Sequence, residues 1–400
     1  MIYVATAVFL LATTITVILY GRGYNFNFGD GKIGISGTGL LAATSQPDGA
    51  GIYVNDHLTS ATNNTISLPP GEYDVKISKS GYSTWYKKIK IEKEVVASAY
   101  ALLIPTAPKL DNITQTGVNN PVLDPTRTKI AYTVSSSDDP RKNGIYILDM
   151  GLRPILTLQS SSSQIADNTI DNFSKASLSW SPDAKELVAT ISAGPNIATT
   201  YLLKTGFNEN PQDITATLES TSLAWNEQRA NQDKSQLLGF KTKLQNLIKD
   251  DFAILSWSED ETKILYTASR SANLPLIINP PLIGTNSTPE AREINKGTIY
   301  VYDIREDKNF KILDSMPESK SQDFINAFPL NWFTDSKHLI YVEEQKINIM
   351  DYDGQNKTTI YAGPFMDGYV FSWPDSSKLL ILTDLGNSNT PPNLYTIGLK

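Results

Sequence analysis

The sequence predicts a mainly β protein: an N-terminal apolar helix, a small β-sandwich, and then a β-propeller, with six blades favoured and five as the runner-up. Three observations carry this. The chain opens on an uncharged apolar run. Strand-and-turn signals then recur about every 8 to 15 residues. Beyond residue 106 a Trp-centred segment repeats in a form that no single copy could fold alone. The expected domains are an anchor at 1–21, a β-hairpin connector at 22–37, a sandwich at 38–105 and a propeller at 106–400.

Ile2 to Tyr20 carry no charge, and nineteen residues at helical rise reach ~28 Å, close to the ~30 Å hydrocarbon thickness of a bilayer. A buried core helix would carry a polar face, whereas this run has only scattered threonines. The apolar run is long for a cleaved signal peptide, so the expectation is an uncleaved transmembrane signal anchor contacting lipid through residues 2–20. Arg22 and Lys32 follow it, which by the positive-inside rule would favour a cytoplasmic bulk. Two basic residues are a weak bias, and long polar domains translocate largely regardless of charge.

Tyr24, Phe26 and Phe28 alternate up to Asp30-Gly31, a hairpin turn that leads into Ile33 and Ile35. Pro47-Asp48-Gly49-Ala50 forms the next turn, with Pro fixing φ and Gly49 free to take φ > 0. Asn55-Asp56, Pro70-Gly71 and Gly81-Tyr82 punctuate further short strands, giving six or seven in all, as a small sandwich requires. Lys76, Lys79, Lys87, Lys88, Lys90 and Lys93 crowd the second half. They suit solvated, edge-protecting strand faces better than a site for anionic wall polymers.

These residues resemble the PEGA domain, a small sandwich of surface-layer and envelope proteins. Its name-giving Pro-Glu-Gly-Ala reads Pro47-Asp48-Gly49-Ala50 here. Tyr53-Val54-Asn55, Leu68-Pro69-Pro70-Gly71-Glu72-Tyr73 and Lys79-Ser80-Gly81-Tyr82 with Trp85 follow in the family's order. Asp48 in place of Glu is a departure that a turn position tolerates.

From residue 106 the chain repeats. SWSPDAKELVAT from Ser179, SWSEDETKILYT from Ser256, NWFTDSKHLIYV from Asn331 and SWPDSSKLLILT from Ser372 align, with a weaker copy at Leu123. A second strand follows most copies, as in Ile145–Asp149, Ile299–Asp303 and Ile347–Asp351. Trp spacings of 77, 75 and 41 fit blades of ~40–45 residues if the longer gaps hold insertions. Those expected are a helical one at 235–250, with Leu237, Phe240, Leu244, Leu247 and Ile248 on one face, and a Pro-rich one at 273–297. Ser222–Trp225 reads as a degenerate sixth copy.

The Trp-Ser-Pro-Asp-x-Lys-x-Leu signature resembles the TolB-like propeller repeat. The resemblance implies that Trp180, Trp257, Trp332 and Trp373 pack between blades and that Asp183, Asp260 and Asp335 hold turns. The glycine after the Asp is replaced by Ala184, Glu261 and Ser336, which puts the turn geometry in question. The sialidase Asp box is disfavoured, because its Gly-x-Thr-Trp is missing.

The 400 residues contain no cysteine and two histidines, His57 and His338. Disulfides, thiolate chemistry and a His-rich metal centre are thereby excluded. A net charge of −7 argues against nucleic acid as a partner. No catalytic, cofactor or metal motif is found, and Asp351-Tyr352-Asp353-Gly354 reads as a plain hairpin turn rather than a calcium loop. The expectation is a membrane-anchored, extracytoplasmic binding or scaffold protein of the cell envelope, without cofactor and not an enzyme. Its partner would be an envelope protein or a wall or surface polysaccharide. The alternative is a propeller glycoside hydrolase or lyase acting on envelope polysaccharide. Leu276, Ile277, Ile278, Leu282 and Ile283 of the Pro-rich insertion are the candidate partner contacts, unless the segment folds back to cap the propeller.

Overall fold

A computed structural model describes residues 2–21, 24–29, 32–151, 162–194, 197–317 and 329–399, with backbone alone for Ile2 and across 19–36. Helix α1 (Ile2–Gly21) has every described side chain, Tyr3 to Ile18, exposed. Its threonines turn inward on their own helix: Thr14 Oγ1 donates to the Leu10 carbonyl at 2.7 Å and Thr16 Oγ1 to that of Ala12 at 2.8 Å. Among the described residues no helix is long and apolar enough to cross a membrane, and the described side chains of α1 end at Ile18. The connector is an antiparallel hairpin of Tyr24–Gly29 and Lys32–Gly37 in which Tyr24 faces Gly37. Its expected turn at Asp30-Gly31 lies outside the described residues.

Two sheets form the sandwich. One has the order Asn64–Leu68, Gly39–Gln46, Val96–Leu102, with its last pair parallel; the other runs His57–Ala61, Gly51–Val54, Gly71–Ser78, Trp85–Ile91. Alternation decides which faces meet: Leu41, Ala43, Ile52, Val54, Val75, Ile77, Trp85, Ile89 and Ile91 point inward to one core. Gly49 takes φ +70° as its turn demands, and the buried Ala50 donates its N–H to Thr62 Oγ1 at 2.9 Å. Asn55 and Asp56, both at positive φ, make the tight hairpin between Gly51–Val54 and His57–Ala61.

Five four-stranded antiparallel sheets follow among the described residues. Blade 1 holds Asn119–Leu123, Lys129–Val134, Gly144–Asp149 and Ser162–Asp167. Blade 2 holds Ser177–Trp180, Glu186–Gly194, Ile197–Lys204 and Gln212–Asp213. Phe252–Trp257, Lys263–Ala268, Ile299–Asp303 and Lys308–Leu313 make blade 3. Leu330–Trp332, His338–Glu343, Lys346–Asp351 and Thr358–Tyr361 make blade 4. Blade 5 has three strands from the C-terminus, Val370–Ser372, Lys378–Thr383 and Asn393–Gly398. Its fourth is Leu110–Asn112, from the start of the domain. The domain's two ends are thus sewn into one sheet, and apolar cores span blades 1 and 2, 3 and 4, 4 and 5, and 5 and 1.

The expected sixth copy is not a blade. Ser222–Trp225 lies inside helix α2 (Leu218–Leu238), whose run of Leu, Ala, Glu, Gln, Arg and Lys without Gly or Pro favours helix over strand. The helical insertion is therefore longer than 235–250 and broken in two, with α2 capped by Gly239 and α3 (Thr242–Asp251) following. The expected apolar face is real: Leu244, Leu247 and Ile248 are buried against blade 3, with the half-buried Leu237 and Phe240 packed beside them. The Pro-rich insertion leaves blade 3, makes a two-residue ladder of Ala272–Asn273 with Glu293–Ile294, and runs beside the blade's outer strand, where Ala291 N–H donates to the Asn309 carbonyl. It covers an edge that would otherwise be free to pair.

Candidate functional site

The repeat carries a charge pattern that positions the site. In blades 1 to 4 a charged residue six places after the repeat Trp (Leu123 in blade 1) opens the second strand and faces the last residue of the third. The register pairs are Lys129 with Asp149, Glu186 with Lys204, Lys263 with Asp303, and His338 with Asp351. Opposite charges directly across an antiparallel pair are favoured. All lie at the same end of their blades, where the first-to-second and third-to-fourth strand turns gather.

In blade 4 this becomes a buried relay. His338 is 3% exposed. Its Nδ1 lies 2.6 Å from Asp335 Oδ2 and its Nε2 3.3 Å from Asp351 Oδ1. A carboxylate only accepts, so a ring between two of them donates from both nitrogens and is an imidazolium. Burial opposes the charge, but the two carboxylates outweigh it and raise the His338 pKa to about 10. Asp335 is held below its ordinary value, because His338 and the Lys337 and His338 amides outweigh its burial.

The sandwich docks on this end of the propeller. Asp351 Oδ2, the oxygen turned away from His338, accepts the Trp85 indole N–H at 3.0 Å and Asn356 Nδ2 at 2.9 Å. Lys87 pairs with Asp353, whose side chain is fully buried and also accepts from Asn286 Nδ2 at 2.8 Å and Thr288 Oγ1 at 2.6 Å. These groups hold the Asp353 carboxyl below its ordinary range despite its burial. Tyr86 N–H donates to Asn356 Oδ1 at 2.9 Å and Lys90 N–H to Ser287 Oγ at 3.0 Å. Leu102 and Ile104, where the sandwich ends, join the core between blades 4 and 5. The hairpin turn expected at Asp351–Gly354 is present, with Gly354 at φ +80°, and it is also the docking point of the other domain.

Between the domains lies a cavity of about 510 Å³. Ala42, Thr44, Ile89, Ala97 and Tyr100 of the sandwich roof it, and Lys263, Asp303, Glu306, His338 and Tyr352 of blades 3 and 4 line its floor. Lys263 is 8% exposed; its Nζ donates to Thr262 Oγ1 at 3.0 Å and sits 4.9 Å from the Tyr352 ring centre. Burial pushes the carboxyls of Asp303 and Glu306 above their ordinary values. Both are also turn-forming groups, with Asp303 Oδ1 accepting from the Arg305 and Glu306 amides and Glu306 Oε2 from that of Asn286. Among the described residues no three His, Asp or Glu side chains converge as metal ligands. The cavity suits a polar molecule carrying both charges or hydrogen-bonding groups.

The sequence-predicted residues fall in three places. Trp180 and Trp332 are buried between blades, and each indole donates to a carbonyl of the preceding blade, Val122 at 3.1 Å and Ser256 at 3.4 Å. Trp257 instead stacks on Phe240, beside α3, at 5.9 Å, and Trp373 lies under Lys378 Nζ at 4.0 Å. Asp183, Asp260 and Asp335 each accept backbone N–H bonds within their turns. Ala184, Glu261 and Ser336 take φ of +57°, +54° and +60°, so the left-handed geometry survives without the glycine. The insertion splits: the Ile277 and Ile278 amides bind Asp307 Oδ2 and Lys243 holds the Leu276 carbonyl, while Leu282 and Ile283 stand exposed. The lysine cluster is largely consumed internally, Lys76 by Asp56, Lys88 by Asp74 and Lys90 by Glu92.

Lys263, Asp303, Glu306 and His338 do not stand out in the sequence as site residues, and Lys87 stands out only as one lysine of the cluster. The available signal was the charged residue repeated six places after the Trp, opposite a strand ending in Asp.

Comparison with known proteins agrees with the sandwich. Residues 38–106 match the PEGA domain. No curated protein matches the chain. Similar solved structures include a putative TolB from Agrobacterium tumefaciens (12% identity, 70% of this chain and 78% of that one, TM-score 0.24). TolB from Acinetobacter baumannii is similar at 13% identity (82% and 59%, TM-score 0.20). An oligogalacturonate lyase in complex with manganese is similar at 11% (84% and 80%, TM-score 0.21). Likenesses at this level carry no functional inference, and the propeller rests on its own sheets and their closure. The roof of the interdomain cavity comes from residues 38–106, the segment that matches the PEGA domain.

Proposed function

We propose that this chain is an extracytoplasmic binding or scaffold protein of the cell envelope, held to the membrane by α1, with its PEGA domain and propeller locked into one body. The observation that carries the reading is the pairing of a docked PEGA domain with a helix whose described side chains are all exposed. From Tyr3 to Ile18 every side chain of α1 is exposed, and Val4, Val8, Phe9, Leu10 and Leu11 are each more than half exposed. Apolar surface on this scale calls for an apolar surrounding, and hydroxyls bonded to their own helix suit hydrocarbon. The binding surface is the propeller mouth with its interdomain cavity, and the partner is an envelope protein or a surface polysaccharide.

The binding reading is preferred to a hydrolase or lyase. Glycosidic cleavage needs a carboxyl pair of which one acts as acid and the other as base or nucleophile. The two carboxyls raised by burial, Asp303 and Glu306, are both engaged by backbone amides of the turns they build.

The test is topological. The full chain should stay with membranes in alkaline carbonate, and protease added to intact spheroplasts should digest residues 24–400. Release by carbonate removes the anchor, and full protection until lysis reverses the orientation.

A further inference from the structure

We infer that the tip of the Pro-rich insertion, Leu282–Ile283, together with Val96 of the PEGA domain, is a second membrane contact that sets the protein's tilt on the bilayer. This rests on the reading of α1 as a membrane anchor and adds to it a surface that the anchor alone does not require.

The argument is one of connectivity. Helix α1 ends at Gly21, and three residues later Tyr24 faces Gly37 across the connector hairpin. Three extended residues span at most about 11 Å, and paired strands lie about 5 Å apart. The hairpin therefore brings the chain back beside its starting point, and Gly37 lies within about 16 Å of the helix end. From there the contacts are direct. Glu94 N–H donates to the Thr38 carbonyl at 3.0 Å and Leu40 N–H to that of Val95 at 2.9 Å. Gly284 in turn rests against Val95 so closely that a Cβ added there would lie 2.2 Å from Val95 Cγ1. The insertion tip thus sits on the corner of the molecule where the anchor enters.

The chemistry of that corner fits a lipid surface. Ile283 is 73% exposed, Val96 51% and Leu282 48%, three aliphatic side chains with no polar atom. The tip is held from behind: Gly284 N–H donates to Glu92 Oε2 at 3.1 Å, and Lys308 Nζ binds the Asn286 carbonyl. A loop fixed in this way gives up little freedom when its apolar end enters the interface.

The chain has no cysteine, so single-cysteine variants report position directly. Val8→Cys, Ile283→Cys and Leu385→Cys in the full chain are labelled with an environment-sensitive dye and reconstituted in phosphatidylcholine–phosphatidylglycerol vesicles. Half the samples carry doxyl-labelled lipid. Leu385, 48% exposed, lies in the second-to-third strand connection of blade 5, on the propeller face opposite the PEGA domain. The expected result is strong quenching at Val8, quenching at Ile283 with a blue-shifted emission, and none at Leu385. Quenching at Val8 with Ile283 matching Leu385 overturns the second contact and leaves the anchor standing. An unquenched Val8 removes the anchor, and this inference with it.

Discussion

Replacing Lys87 by Met tests whether the two domains are one body. Lys87 and Asp353 meet across the interface, with the Lys87 side chain 13% exposed and that of Asp353 wholly buried. Removing one partner of a buried pair costs ~3–5 kcal/mol, because the other charge is left uncompensated. Asp353 would keep Asn286, Thr288 and the Gln355 amide as donors, so the lower end, ~3 kcal/mol, is expected. Two amides report on docking alone: Tyr86 N–H, bound to Asn356 Oδ1, and Lys90 N–H, bound to Ser287 Oγ. At 1.36 kcal/mol per tenfold, their hydrogen exchange should speed up ~100-fold, while amides inside the blades keep their protection. Adding Asp353→Asn to Lys87→Met should restore at least half of the loss, since the buried charge is then gone. Exchange at Tyr86 and Lys90 within ~3-fold of the parent chain would refute the argument, because that corresponds to well under ~1 kcal/mol.

Two further outcomes follow from the same geometry. The His338 pKa rises from an unfolded value near ~6.5 to about 10, so its stabilisation is complete below ~6.5 and is lost as pH climbs through about 10; with the intrinsic pH dependence of exchange divided out, protection at Tyr86 should fall between pH ~6.5 and about 10 in the parent chain, and a His338→Gln chain that keeps the same fall would assign the effect elsewhere. Trp332→Ala, at a site 1% exposed, should cost ~3–5 kcal/mol in denaturant melts, and a loss under ~1 kcal/mol would mean that the indole is not the inter-blade wedge described above.

Much of this protein was written locally. Alternation and turn residues determined the sandwich strands, because a strand's burial pattern and a hairpin's φ requirements are set by adjacent residues. The repeat determined the blades in the same way, down to the Asp turns and the wedges Trp180 and Trp332. Local reading went astray where a short pattern was ambiguous. Ser-Leu-Ala-Trp at 222–225 looks like a degenerate repeat, but it is flanked on both sides by helix formers, and the longer run decides. At Ala184, Glu261 and Ser336 the turn kept its left-handed geometry, because the Asp side chain and the flanking ladder over-determine it. The site was a different matter. Trp85 and Lys87 are separated from His338 and Asp353 by more than two hundred residues of sequence, and each is an ordinary polar or aromatic residue in its own strand or turn. The sequence carried such charged pairs in blades 1 to 4; those of blades 3 and 4, where the PEGA domain docks, are the two that are buried. Burial is a property of the assembled surface, and it is burial that turns a common cross-strand pair into a held imidazolium, a roofed cavity and an interdomain lock.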